Sequence, residues 1–84
     1  MAEAEQGRVR QRRRTHNALL AAAGRLLAKG QVADAIDRYQ EAVTSDPSYA
    51  DGHTGLASAL ERQGRTVEAA AERARAAALA KSPE

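Results

Sequence analysis

Apolar residues along this chain recur with a helical period. Leu19, Leu20, Ala23, Leu26 and Leu27 stand at i, i+1, i+4, i+7 and i+8, which is one face of a helix. The spacing predicts a first helix from about Thr15, a plausible N-cap, to Lys29, with Gly30 as its stop. Ala35, Ile36, Tyr39, Ala42 and Val43 repeat the pattern and predict a second helix over Val32–Ser45. Pro47 ends it, because proline disfavours helix in the residue before it. His53, Leu56, Ala57 and Leu60 form the inner stripe of a third helix, from Tyr49 or Ala50 to Gln63, stopped by Gly64. A fourth is predicted from Thr66 to Ala80, ended by Ser82-Pro83-Glu84. The turns are short, so consecutive helices are antiparallel. Residues 1–8 lack apolar periodicity and contain Gly7, which predicts a frayed or disordered arm; residues 9–15 are polar but helix-compatible.

The pattern also repeats at long range. Ala23 and Ala57, Leu26 and Leu60, Gly30 and Gly64, Ala35 and Ala69, and Ala42 and Ala76 are each separated by 34 residues. A fixed period of this size marks a helical repeat array. The predicted fold is therefore all-α, with tandem antiparallel helix-turn-helix units. Such arrays bind other molecules and rarely catalyse.

Composition narrows this picture. At 84 residues the chain makes one small domain. It has no Cys, which excludes disulfides and thiolate-bound metal and fits a reducing, cytoplasmic setting. No apolar run is long enough for a membrane span, and the charged N-terminus predicts no signal peptide. Alanine, the best helix former, dominates the apolar set and makes a thin core. Arginine far outnumbers lysine, a composition associated with GC-rich bacterial genomes. The net charge of +2 is unevenly spread. Residues 1–15 carry five arginines against two glutamates, which is +3, and the remainder is −1.

Several residue types agree at fixed offsets within one unit. These are Leu19, Ala22-Ala23 and Leu26, then Gly30, then Ala35, Tyr39 and Ala42, closed by Pro47. The stretch GQVADAIDRYQEAVTSDP resembles a consensus segment of the tetratricopeptide repeat family. Leu56-Ala57, Leu60, Gly64, Ala69 and Ala76 carry the resemblance into a second unit. It implies two repeats, at 15–48 and 49–84, which follow the basic, flexible arm at 1–14 expected from charge and periodicity. The second repeat departs from the pattern. His53 replaces a large apolar residue, Arg73 stands where Tyr39 stands in the first unit, and Lys81 replaces the closing proline.

The resemblance also implies a function, a protein–protein interaction scaffold that binds an extended or helical peptide in a concave groove. The matching groove positions are Asn17, Leu20, Gly24, Leu27 and Ala28, then Asp51, Thr54, Ser58, Glu61 and Arg62. One subgroup of the family clamps a peptide carboxylate with lysine and asparagine. Leu20, Gly24 and Gly55 stand at the matching positions and cannot do so, which argues against chaperone C-termini as ligands. The remaining groove is half apolar and mildly acidic, suited to a peptide with an apolar anchor and a basic residue.

Arrays of this kind usually need about three repeats. Two leave open ends, and three resolutions stand: a longer protein, self-pairing, or the basic segment folding back as a cap. Ala70, Ala74 and Ala77, with Ala71 and Ala78, give the fourth helix a smooth face for a homo-oligomer, or are simply neutral exposed helix formers.

Other candidates are thinner. Arg8, Arg10, Arg12, Arg13 and Arg14 suit phosphates, nucleic acid or an acidic surface, but no aromatic is interleaved to stack on bases. The same arm also suits the acidic part of a second molecule's groove. His16 and His53 are two ligands where a zinc site needs three or four, so no metal is expected. Asp34, Asp37 and Glu41 share a helix face without a pocket or nucleophile. Nothing predicts a cofactor, a catalytic residue or an enzyme.

Overall fold

The computed structural model describes residues 2–80, with side chains described from Arg14 onward. They form α1 (Ala2–Ala28), α2 (Val32–Ser45), α3 (Ala50–Arg62) and α4 (Thr66–Ala80), with no strand among the described residues. The chain is all-α. Among the described residues each helix packs against the next, α1 also touches α3, and α4 packs on α3 alone.

The repeat is visible in the turns. Gly30 and Gly64 have φ of +81° and +83°. Behind Gly30, the Gln31 amide donates to Leu26 O at 2.9 Å and the Gly30 amide to Leu27 O at 3.0 Å. Behind Gly64, Arg65 donates to Leu60 O at 2.9 Å and Gly64 to Glu61 O at 3.0 Å. These are two Schellman closures at the same register, each of which needs a residue that tolerates the left-handed region. The turn after α2 is built differently. Asp46 donates its amide to Ala42 O at 3.0 Å, and its carboxylate accepts from the Ser48 amide at 3.1 Å and hydroxyl at 2.5 Å. That is an Asx turn, which holds Pro47 between α2 and α3.

The core lies where the stripes predict. Ala35, Ile36, Tyr39 and Ala42 are buried on α2, and His53, Leu56, Ala57 and Leu60 on α3. Ala69 and Ala76 are buried on α4, and Ala23 on α1. The repeating alanines stand at helix crossings, where a small side chain lets backbones approach. Tyr39 is the bulkiest member of this core. A Cβ on residue 55 would stand 2.8 Å from Tyr39 Cδ1 and nearer still to Cε1. Gly55 is therefore the slot into which the tyrosine ring of α2 packs on α3.

The first helix corrects the sequence reading. It begins at Ala2 rather than Thr15, and Thr15 lies inside it instead of capping it. The backbone expected as a frayed, flexible arm is helical. No proline interrupts residues 2–14, and alanine, glutamate, glutamine and arginine are strong helix formers. Against these, Gly7 costs only about 1 kcal/mol. The side chains of Arg8, Arg10, Arg12 and Arg13 lie outside the described residues, as do the helix-ending Ser82-Pro83-Glu84 and the substituted Lys81.

The two interior glycines facing Tyr39 should respond in opposite ways. A Cβ at residue 24 meets nothing nearer than Tyr39 Oη at 4.0 Å. Gly24→Ala is expected to stabilise by about 0.5–1 kcal/mol through helix propensity. Gly55→Ala should destabilise by about 1–3 kcal/mol, because the ring must leave its place. Urea midpoints of the two variants against the parent check the sign of each.

Candidate functional site

Asn17, Leu20, Gly24 and Leu27 follow one stripe of α1, and Asp51, Thr54, Ser58 and Glu61 follow the same stripe of α3, shifted by 34. Asn17, Ala28, Asp51, Thr54, Glu61 and Arg62 are exposed, while Leu20, Gly24, Leu27 and Ser58 are half-buried. Leu20 and Leu27 rest one side on the core and leave the other open. α1 and α3 touch, so the two stripes belong to adjoining helices.

The structure alters the chemistry expected there. Glu61 accepts both guanidinium arms of Arg73 from α4, with Nη2 to Oε1 at 2.8 Å. This hydrogen bond raises the Arg73 pKa further and cancels the charge of Glu61. Arg62 stands next to it. The stripe is thus less acidic than the sequence suggested, with Asp51 its one carboxylate not held by an arginine. Thr54 donates its hydroxyl to Ala50 O at 3.1 Å within its own helix. Gly55, counted at a clamp position, serves the packing of Tyr39 instead.

Arg73 does not replace Tyr39 in the core. It is exposed, and the ion pair with Glu61 ties α4 to α3 from outside. Arg65 and Glu68 make a similar exposed pair at the start of α4. The Arg65 hydrogen bond holds the Glu68 carboxyl below the usual carboxylate range. Ala70, Ala74 and Ala77 are all exposed along one side of α4.

A polar cluster is buried at the junction of the repeats. His53 Nε2 faces Pro47 O at 2.8 Å, and His53 Nδ1 faces Glu72 Oε1 at 2.8 Å. The side chains of His53 and Glu72 are 5% and 9% exposed. Carbonyl oxygen only accepts, so Nε2 is the donor, and Nδ1 shares a proton with the carboxylate. Arg75 closes the other oxygen of Glu72. His16, on α1, donates Nδ1–H to Ala42 O at 3.1 Å and stacks obliquely on Tyr49, with ring centroids 4.8 Å apart. Its Nε2 is buried without a hydrogen-bond partner. Both histidines read backbone carbonyls near the α2–α3 turn.

Both histidines are buried, and among the described residues no group of three or more His, Cys, Asp or Glu is placed to hold a metal. Glu72 was missed from sequence. Its signal was there: it stands between Ala69 and Ala76 at i+3 and i−4, a charge on the inner stripe. Asp34, Asp37 and Glu41 are exposed on α2, with Glu41 held by Arg38. No helix among the described residues is long and apolar enough to cross a membrane.

Residues 25–64, from the last turn of α1 to the turn after α3, match the family model described as TPR repeat. This chain carries a tetratricopeptide repeat over the matched residues. Its four helices fit two such repeats. Repeats of this family are protein–protein interaction modules and typically non-catalytic scaffolds. No curated protein and no solved structure matches the chain.

The buried pair gives a direct test. His53→Leu leaves the Glu72 carboxylate buried beside an apolar group and should cost about 3 kcal/mol or more. His53→Leu combined with Glu72→Leu should recover most of that loss, since a buried pair replaced by packed apolar residues is often neutral. Chemical denaturation of the parent, both single variants and the double variant measures the coupling.

Proposed function

We propose that this repeat pair is a peptide-binding scaffold whose ligand lies along the α1 and α3 stripe. The observation that carries this reading is the position of Leu20 and Leu27. They are large apolar side chains half-open to solvent, one on each side of Gly24, on the stripe that the second repeat continues with polar side chains. A ligand with an apolar anchor over Leu20 and Leu27 and a basic or hydrogen-bonding group near Asp51 and Ser58 fits this surface. The residues that recognise it are Asn17, Leu20, Gly24, Leu27, Asp51, Thr54, Ser58, Glu61 and Arg62. The absence of cysteine suits work in the cytoplasm.

The charge split supports a second reading. The +3 of residues 1–15 lies on the N-terminal half of a helix about twice as long as α2, and suits an acidic surface or nucleic acid.

Peptides selected from a random display library on the full chain supply the probe. Leu27→Glu and the exposed change Asp51→Lys should each weaken the selected peptide about 10-fold or more, with helical content retained in circular dichroism. Changing Arg12, Arg13 and Arg14 together to Ala should leave that affinity unchanged. The second reading predicts the reverse, with binding to duplex DNA or heparin that falls steeply with salt and disappears in the triple variant. Peptide binding indifferent to Leu27→Glu and Asp51→Lys would remove the groove reading.

A further inference from the structure

Comparing burial at equivalent positions separates two kinds of contact. Positions that pack within a repeat are buried twice, as with Ala23 and Ala57 or Ala35 and Ala69. Positions that pack between repeats are buried only where α2 meets α3. Val43 and Tyr39 of α2 lie against Gly52 and Gly55 of α3. One turn further along this antiparallel crossing, Ile36 and Ala59 are both buried. Adding 34 to the α2 residues gives Ala70, Arg73 and Ala77 on α4, all exposed. Subtracting 34 from the α3 residues gives Ala18, Ala21 and Arg25 on α1, all exposed. Among the described residues there is thus one complete inter-repeat interface, and the outer faces of α4 and α1 present the equivalents of its two halves.

The halves differ from the complete interface in a compensating way. On the α4 side, Ile36, Tyr39 and Val43 become Ala70, Arg73 and Ala77, and the two aliphatic positions lose bulk. On the α1 side, Gly52, Gly55 and Ala59 become Ala18, Ala21 and Arg25, and all three gain it. Val43 on Gly52 becomes Ala77 on Ala18. At the positions of the buried Ile36 and Ala59 stand Ala70 and the aliphatic stem of Arg25. Tyr39 on Gly55 becomes Arg73 beside Ala21, where the flexible side chain need not fill the slot. The guanidinium of Arg73 enters already paired with Glu61.

The surface clefts repeat the same relation. A cleft of 450 Å³ between α3 and α4 is lined by His53, Arg75, Ala78 and Leu79, and closed by Val43 and Pro47 from the first repeat. Its counterpart between α1 and α2, lined in part by Leu19, Glu41, Thr44 and Ser45, is larger, at 700 Å³. Each of these four residues is the 34-residue equivalent of one in the first cleft. Val43 and Pro47, which wall the first cleft, have no counterpart among the described residues that line the larger one.

We infer that a second copy of this chain supplies that wall. The open face of α4, with Ala70, Arg73 and Ala77, docks on the open face of α1, with Ala18, Ala21 and Arg25, in the crossing that α2 makes on α3. The contact is head to tail. It leaves one free end on each copy, so it generates open chains of molecules instead of a closed dimer. The inference does not use the peptide stripe and stands whether or not a peptide binds there.

Light scattering and sedimentation of the full chain test it. The parent should show a mass that rises with concentration above the 8.9 kDa of one chain, without stopping at a fixed multiple. Ala77→Glu and Ala21→Glu, each at an exposed position, should reduce the mass to that of one chain. An equimolar mixture of these two variants should regain a one-to-one dimer, because each keeps the end the other has lost. That recombination also shows that both variants are folded. A parent that stays at 8.9 kDa throughout would overturn the inference and leave these ends to a different partner. Self-association lost with Ala77→Glu but untouched by Ala21→Glu would overturn it in favour of a symmetric α4–α4 contact.

Discussion

The joining of the two repeats depends on one exchange of volume. Tyr39 occupies the space that a side chain on residue 55 would need, and only a glycine there lets the ring of α2 lie on the backbone of α3. Val43 over Gly52 repeats the arrangement one turn away. In an alanine-rich core, where each residue buries little surface, this aromatic contact contributes a large share of the apolar area between the repeats. The two glycines weaken α3 as an isolated helix, at roughly 1 kcal/mol each. Tertiary packing offsets that local cost.

The same junction carries the buried polar groups. His53 holds the carbonyl of Pro47 with one nitrogen and the carboxylate of Glu72 with the other, so it connects the closing turn of the first repeat to the last helix of the second. Among the described residues α4 packs on no helix but α3, and its inner stripe is mostly alanine. A directional polar contact there fixes the rotation and register of α4 more sharply than alanine packing does. His16 does similar work for α1 by donating to Ala42 O, a carbonyl already bonded to the Asp46 amide. The unpartnered Nε2 of His16 is a cost that the site carries.

Function in such a scaffold lies in what the repeat does not repeat. The matched residues make turns and crossings and are spent on the fold. Leu20, Leu27 and Asp51 on the groove stripe, and Arg73 and Ala77 at the free end, differ between units and remain accessible.

The sequence by itself determined the four helices, the two glycine turns and the all-α repeat, because each is set by signals within a few residues: an apolar stripe, a residue tolerant of positive φ, a proline. It misplaced the start of α1, where polar helix formers continue a helix without any apolar period to show it. The groove stripe was legible through the register of the repeat, but its electrostatics were not, since Glu61 meets Arg73 across 12 residues of sequence. Likewise, only the tertiary structure decided that His53 and Glu72 form a buried pair and that the inter-repeat faces of α1 and α4 stay open. Those outcomes depend on which distant side chains are brought within reach of one another, and local periodicity carries no record of that.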